Sequence, residues 1–175
     1  MTSTGTATSD ERLRQGDTRL LRTDLAERLL HSTIPARLAF VWTDGTPRIV
    51  PTWFHWTGEE IVMPTFIAGP AIGIRHPAAR IAALRVNPRV ALTIDTNTAP
   101  PQSLTIRGTA EITQVEGVTP EYAAAARRYL GEEAAGSMLA SLDQPGTVQA
   151  RIAVRPDWVG MLDFVTRMPS AQGGV

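Results

Sequence analysis

The spacing of apolar residues divides the chain into one early helix, a run of short strands, and an Ala-rich helical block set between strands. Leu21, Leu25 and Leu29 recur every fourth position, the apolar stripe of a helix over about residues 18–32, and Ile34-Pro35 ends it. Asp24 with Glu27 three positions on resembles a capping box and marks the start of its regular part. Residues 36–43, ARLAFVWT, read as a strand. Asp44-Gly45 predicts a hairpin turn into a second strand at 47–56, PRIVPTWFHW, and Thr57-Gly58 turns that into a third, EEIVMPT. This is an antiparallel meander and not a βαβ unit. The Gly- and Pro-rich stretch 65–77 reads as a loop. A short basic helix then starts at Pro77, where a missing N–H costs nothing, and stops at Asn87-Pro88.

Val90–Asp95 is a nearly continuous apolar run, the pattern of a strand buried on both faces. A strand at about 102–115 carries Gly108 in its middle, which predicts a bulge or a close approach. Thr119-Pro120-Glu121 has the cap, proline and acid of a helix start; the segment 120–142 is one helix, or two broken near Gly131 or Gly136. Residues 147–155 alternate, with Val148, Ala150, Ile152 and Val154 inward and Gln149, Arg151 and Arg155 outward. Pro156 interrupts this strand, and a last short one covers about 158–165. The expected fold is mainly β with α decorations, a six- to seven-stranded antiparallel barrel. It forms a single domain over 17–168, between a Ser/Thr/Gly-rich segment 1–16 read as disordered and a loose tail 169–175.

Composition removes several chemistries. The 17 basic and 17 acidic side chains cancel, which gives no case for nucleic acid or an anionic membrane as partner. Every basic residue is Arg, so no lysine amine is present to form a Schiff base. With no Cys there is no disulfide and no thiolate nucleophile, and three scattered His do not form a metal-ligand cluster. No apolar run approaches the roughly 20 residues of a membrane span, and the polar start has no hydrophobic signal core, so a cytoplasmic protein is expected. Serines lack a nucleophile-elbow context, and Gly69–Gly73 lacks the Walker and Rossmann patterns.

Charge is uneven in one place. From Ile61 to Ile94 there is no acidic residue, yet Arg75, Arg80, Arg85 and Arg89 fall there. Such a face is either a solvated basic surface or an anion seat. A helix start offers free N–H groups and partial positive charge, and His76 and Arg80 beside it suit a phosphate. Trp53, Phe54 and Trp56 on the second strand are either plain core or the apolar wall that a flat ring needs. His55 among them is a proton donor or a structural residue.

Five short motifs stand in sequence: Arg48-Ile49-Val50, Pro64-Thr65, Arg80, Asn87-Pro88-Arg89-Val90-Ala91-Leu92, and Arg107-Gly108-Thr109-Ala110-Glu111. In this order and spacing the chain resembles the pyridoxamine 5′-phosphate oxidase-like split β-barrel family over about residues 34–115, and more loosely over 147–165. The resemblance implies a homodimer that shares its cofactor sites, FMN as cofactor with a deazaflavin coenzyme or haem as alternatives, and electron or hydride transfer with a small organic substrate. It implies that the strand of Arg48 and Val50 lies along the flavin and contributes phosphate contacts, which makes Thr52 and Trp53 on the same strand further cofactor-binding candidates, and that Pro64 and Thr65 end a strand against it. Arg80 stands seven residues before Asn87, where the family has a phosphate-binding Lys, and a guanidinium keeps that charge with a bidentate fork. Arg75 and His76 sit in a longer loop and compete for the phosphate. Ser103 replaces a Gln at the ring edge, and the oxidase's closing substrate-gripping segment is missing from MLDFVTRMPSAQGGV, which argues against pyridoxamine phosphate as substrate. A non-catalytic flavin or haem carrier on the same barrel is the other reading of these residues.

Overall fold

The computed structural model describes residues 13–70 and 79–165. A 3-10 turn at Thr18–Arg22 leads into α1 (Asp24–Leu30), then β1 (Ala36–Val41), β2 (Pro47–Thr52), β3 (His55–Trp56), β4 (Ile61–Val62) and β5 (Thr65–Ala68). After α2 (Ala79–Val86) come β6 (Arg89–Asp95), β7 (Gln102–Glu116), α3 (Pro120–Leu130), α4 (Glu132–Leu142) and β8 (Val148–Asp163). The eight strands form one sheet in the order β2-β1-β6-β7-β8-β4-β3, with β5 also paired to β8, and every pairing is antiparallel.

That order dictates the shape. β2 and β3 sit at opposite ends of the sheet, yet only Trp53 and Phe54 join them. Two residues span less than about 11 Å, so the sheet curls until its ends meet. The ends carry no mutual ladder, which leaves the roll split. Phe54, fully buried, plugs the seam. The interior holds Leu38, Phe40, Leu92, Ile94, Leu104, Ile106, Ile152 and Val154, closed on one side by Leu20, Leu25, Leu29 and Leu30. Each such side chain contributes about 1.5–3 kcal/mol on burial. Exposed ion pairs such as Arg127–Glu132 contribute about 0–1 kcal/mol each, so the core and not surface charge holds the fold.

Several expectations need correction. Eight strands are present among the described residues: the second predicted strand breaks at Trp53, the third divides into β4 and β5, and the last two fuse into β8; part of the predicted loop at 65–77 is β5. The first helix is interrupted: Thr23, with extended backbone, caps α1 by accepting from Ala26 N at 3.3 Å, one residue ahead of the predicted Asp24. β6 alternates between buried and partly exposed positions and is not buried on both faces. Residues 13–16, read with the disordered start, are tied down. Gln15 bonds both backbone groups of Met161, at 2.6 and 2.8 Å, and Gly16 N donates to Val159 O at 2.7 Å.

The two final strands are one. β8 runs straight through Pro156, and Asp157 is an extra residue: Gly108 faces Pro156 while Arg107 faces Trp158. A bulge shifts the inward phase by one residue. Ile152 and Val154 point inward before it, Val159 and Met161 after it. Gln149, predicted outward, is fully buried and accepts from Thr119 N at 2.7 Å, tying the start of α3 to β8. The Gly131 break holds, with φ of +83° between α3 and α4.

Candidate functional site

Pro64, buried, ends the turn after β4, and Thr65 opens β5 opposite Ala150 of β8. From the first turn of α2, Arg80 Nη2 donates to Thr65 Oγ1. The guanidinium is half-buried, its Nε has no hydrogen-bond partner, and no carboxylate pairs with it among the described residues. Burial pulls its pKa below the usual guanidinium value, although a guanidinium remains charged in any case. A buried cation without a counter-charge is costly. The Thr65–Arg80 pair is therefore chemically suited to hold an anion. Arg75 and His76 lie outside the described residues.

Other predicted site residues are spread around the barrel. Val50 and Thr52 face the same side as Leu38 and Ala36, their register partners, and Val50 packs against the core. Thr52 Oγ1 donates to Trp53 O at 3.1 Å. Arg48, exposed on edge strand β2, lies over the Trp42 ring at 5.1 Å with Asp44 at 4.0 Å. Trp53 turns toward α3, its ring stacked on Tyr129 at 4.9 Å and 6°, so one face is already covered. Tyr122 continues this aromatic layer to Phe66, next to Thr65. Burial pushes both phenols above their ordinary pKa.

Arg128 of α3 fastens this layer. It donates to Leu30 O at 3.0 Å, a carbonyl left free at the end of α1, and to Phe54 O, with its guanidinium over the rings of Phe54 and Tyr129 at 4.5 and 4.8 Å. Its only sequence signal was a basic residue beside Tyr129 on an otherwise Ala-rich helix. Arg128→Ala is expected to cost about 2 kcal/mol, seen as a melting temperature lower by roughly 4–8 °C; an unchanged melting curve would exclude this role.

His55 faces α3 from β3. Burial, then the Arg128 charge, lowers its pKa below 6.5; Glu121 opposes the shift and His31 adds to it. The folded state therefore holds this imidazole neutral where the unfolded chain takes up a proton. Its contribution to stability is intact above pH 6.5 and is lost as pH falls from there toward the folded-state pKa. Melting curves between pH 7.5 and 5 are expected to show this loss, and His55→Gln to flatten it.

Ser103 occupies a different place. It lines a cleft of about 440 Å³ with Arg37, Ile49, Thr93, Asp95, Thr96, Pro101, Gln102, Leu162 and Phe164. Thr65 pairs with Ala150, which faces Gln114, so Thr65 and Ser103 lie at opposite ends of β7, about 35 Å apart along the strand. The structure thus brings Thr65 and Arg80 together, and seats Ser103 elsewhere.

The pyridoxamine 5′-phosphate oxidase family model matches residues 23–159, more than half of the chain. The chain belongs to that family. Among solved structures, an F420 reductase is 26% identical and aligns over 77% of this chain and 94% of its own, with a TM-score of 0.56. A conserved hypothetical protein of Mycobacterium tuberculosis reaches a TM-score of 0.60 at 17% identity, over 87% and 93% of the two chains. A heme binding protein of Mycobacterium smegmatis has a TM-score of 0.51 at 23% identity, over 86% of this chain and 58% of its own. No curated protein matches. The split barrel of the family is the architecture observed here, so the resemblance read from the motifs holds for the fold. The family includes oxidoreductases, and structures of this fold include proteins named for F420 and for haem. The Thr65–Arg80 cradle, with an orphaned guanidinium N–H, fits the anionic tail of a flavin-type cofactor. Among the described residues, no helix is long and apolar enough to cross a membrane.

Proposed function

We propose that this chain is an oxidoreductase that works with a flavin-type coenzyme, and that two copies share each coenzyme. The observation that carries the reading is the Arg80 guanidinium, half-buried beside Thr65 with a buried, unpartnered Nε and no carboxylate among the described residues to neutralise it. FMN and a deazaflavin coenzyme both end in an anionic tail that this cation would hold. The likeness to an F420 reductase favours the deazaflavin over FMN. Either coenzyme supplies hydride transfer to or from a small organic substrate, and the protein supplies placement and electrostatics.

In this reading Arg80 and Thr65 bind the tail, buried Pro64 holds the strand end, and Val50 and Thr52 keep β2 against the barrel. Ser103 acts from a second copy, since it sits at the far end of β7 from the cradle. Ile49, 65% exposed, and Phe164, 40% exposed, flank the Ser103 cleft and supply apolar surface for that contact. A haem carrier is less well supported among the described residues, where His31 is engaged by Glu27 at 3.3 Å and His55 faces α3; His76 lies outside them. The test is titration of the purified chain with F420, FMN and haem, with its mass measured in solution. Dimers that bind F420 more tightly than FMN are expected. A Soret band on haem addition with neither flavin bound would overturn the reading in favour of the carrier.

A further inference from the structure

The Ser103 cleft holds a polar pair that the family motifs do not cover. Arg37 of β1 and Asp95 of β6 both line it. Arg37 Nη2 donates to Asp95 Oδ2 at 3.3 Å. Its Nε lies 3.0 Å from Oδ1, close enough for an ion pair but out of line for a hydrogen bond. Asp95 Oδ1 is therefore a buried acceptor with no hydrogen-bond donor among the described residues. Buried carboxylate oxygens are rarely left so.

Of the neighbouring polar groups, Gln102 and Thr96 are engaged elsewhere, and Thr93 and Ser103 offer only neutral hydroxyls. Gln102 accepts from Arg28 at 3.3 Å and donates to Asp163 at 2.8 Å, and Thr96 Oγ1 accepts from Gln102 N at 3.0 Å. What remains is a cationic donor beside an anionic acceptor, in a slot walled by Ile49, Pro101, Leu162 and Phe164. Apolar walls suit a flat ring, and a few placed polar groups set its orientation.

We propose that the Arg37–Asp95 pair reads the imide edge of a pyrimidinedione ring, the carbonyl–NH–carbonyl face that flavins and deazaflavins share and haem lacks. Arg37 donates to a ring carbonyl, and Asp95 Oδ1 accepts from the ring N3–H. The inference rests on the flavin-type reading above and narrows it. The tail is held by Arg80 and the ring is recognised by its imide, the ring-edge task shared between Ser103 and a pair supplied by β1 and β6. Replacing N3–H by N-methyl removes the donor and places a methyl group against a buried carboxylate, which costs the equivalent of a charge-assisted hydrogen bond.

The test uses tail-free rings, so that Arg80 plays no part. Lumiflavin and 3-methyllumiflavin are titrated against the full chain by fluorescence. Lumiflavin is expected to bind about tenfold more tightly or better, and Asp95→Ala to erase the preference. Asp95→Asn, which keeps the volume and one acceptor, is expected to keep part of it. Equal binding of the two rings by the native chain would overturn the inference, as would a chain that holds FMN or F420 but not lumiflavin; either result leaves the flavin reading standing. A chain that binds none of the four ligands loses both.

Discussion

Arg80→Ala is expected to weaken binding of the tailed coenzyme by about 10- to 100-fold. A charge-assisted hydrogen bond to a phosphate contributes about 1.5–3 kcal/mol, and Arg80 has one N–H on Thr65 and its buried Nε unused. The same substitution should leave the melting temperature of the empty chain unchanged or slightly higher. A half-buried cation with no counter-charge costs folding free energy, and α2 itself favours alanine. Arg85→Ala, an exposed arginine on the same helix, is the control and should change neither quantity. Full coenzyme retention by Arg80→Ala would remove the tail assignment. A large loss of stability would instead make Arg80 a structural residue.

Gly108→Ala is expected to destabilise the barrel strongly. A Cβ at this position would run into the Arg155 carbonyl oxygen and stand 2.8 Å from Val154 Cγ1. Neither neighbour retreats easily, because the Arg155 carbonyl belongs to the β8 ladder beside the bulge and the Val154 side chain is fully buried. The cost is about 3 kcal/mol, a melting temperature lower by roughly 6–12 °C. Gly136→Ala, exposed inside α4 with nothing within 4 Å of its new Cβ, should do the opposite and add about 0.5–1 kcal/mol. If Gly108→Ala melts with the native chain, the bulge is looser than the geometry describes.

The bulge also shows why part of the fold was illegible in the sequence. Alternation along 147–155 stops at Pro156, and a proline in a strand reads as a boundary. Pairing with β7 carries β8 across it, at the expense of one unpaired residue. Gly108 was readable because a glycine inside an alternating run forgoes side-chain packing, which a strand gives up where it bulges or another backbone comes close. The Trp53 wall was half readable. An aromatic cluster on a strand announces packing, but nothing local says that the packing partner is Tyr129 of α3 and not a ligand.

The site divides in the same way. Arg80 and Thr65 were both singled out, the first by its charge beside a helix start and by the family resemblance, the second by that resemblance alone, and the structure puts them in contact. Arg37 and Asp95 were not. Each is an ordinary polar residue at a half-buried strand position, 58 residues from the other, and only the β1–β6 pairing makes them neighbours. Arg128 escaped for the same reason, since its acceptors Leu30 and Phe54 are 98 and 74 residues away.

Local order was thus written in the chain: strand alternation, the Asp44-Gly45 hairpin, the Thr119 cap and the arginine-rich, acid-free stretch all follow from neighbours within a few residues, where backbone preference and side-chain period act directly. Folding in three dimensions settled everything that depends on distant partners. It brought the two sheet ends together through Trp53 and Phe54, ran β8 through its proline, and left Arg80 Nε and Asp95 Oδ1 among the buried polar atoms without a hydrogen-bond partner. Such long-range contacts arise from the burial of apolar surface across the whole barrel, and no short window of sequence contains that term.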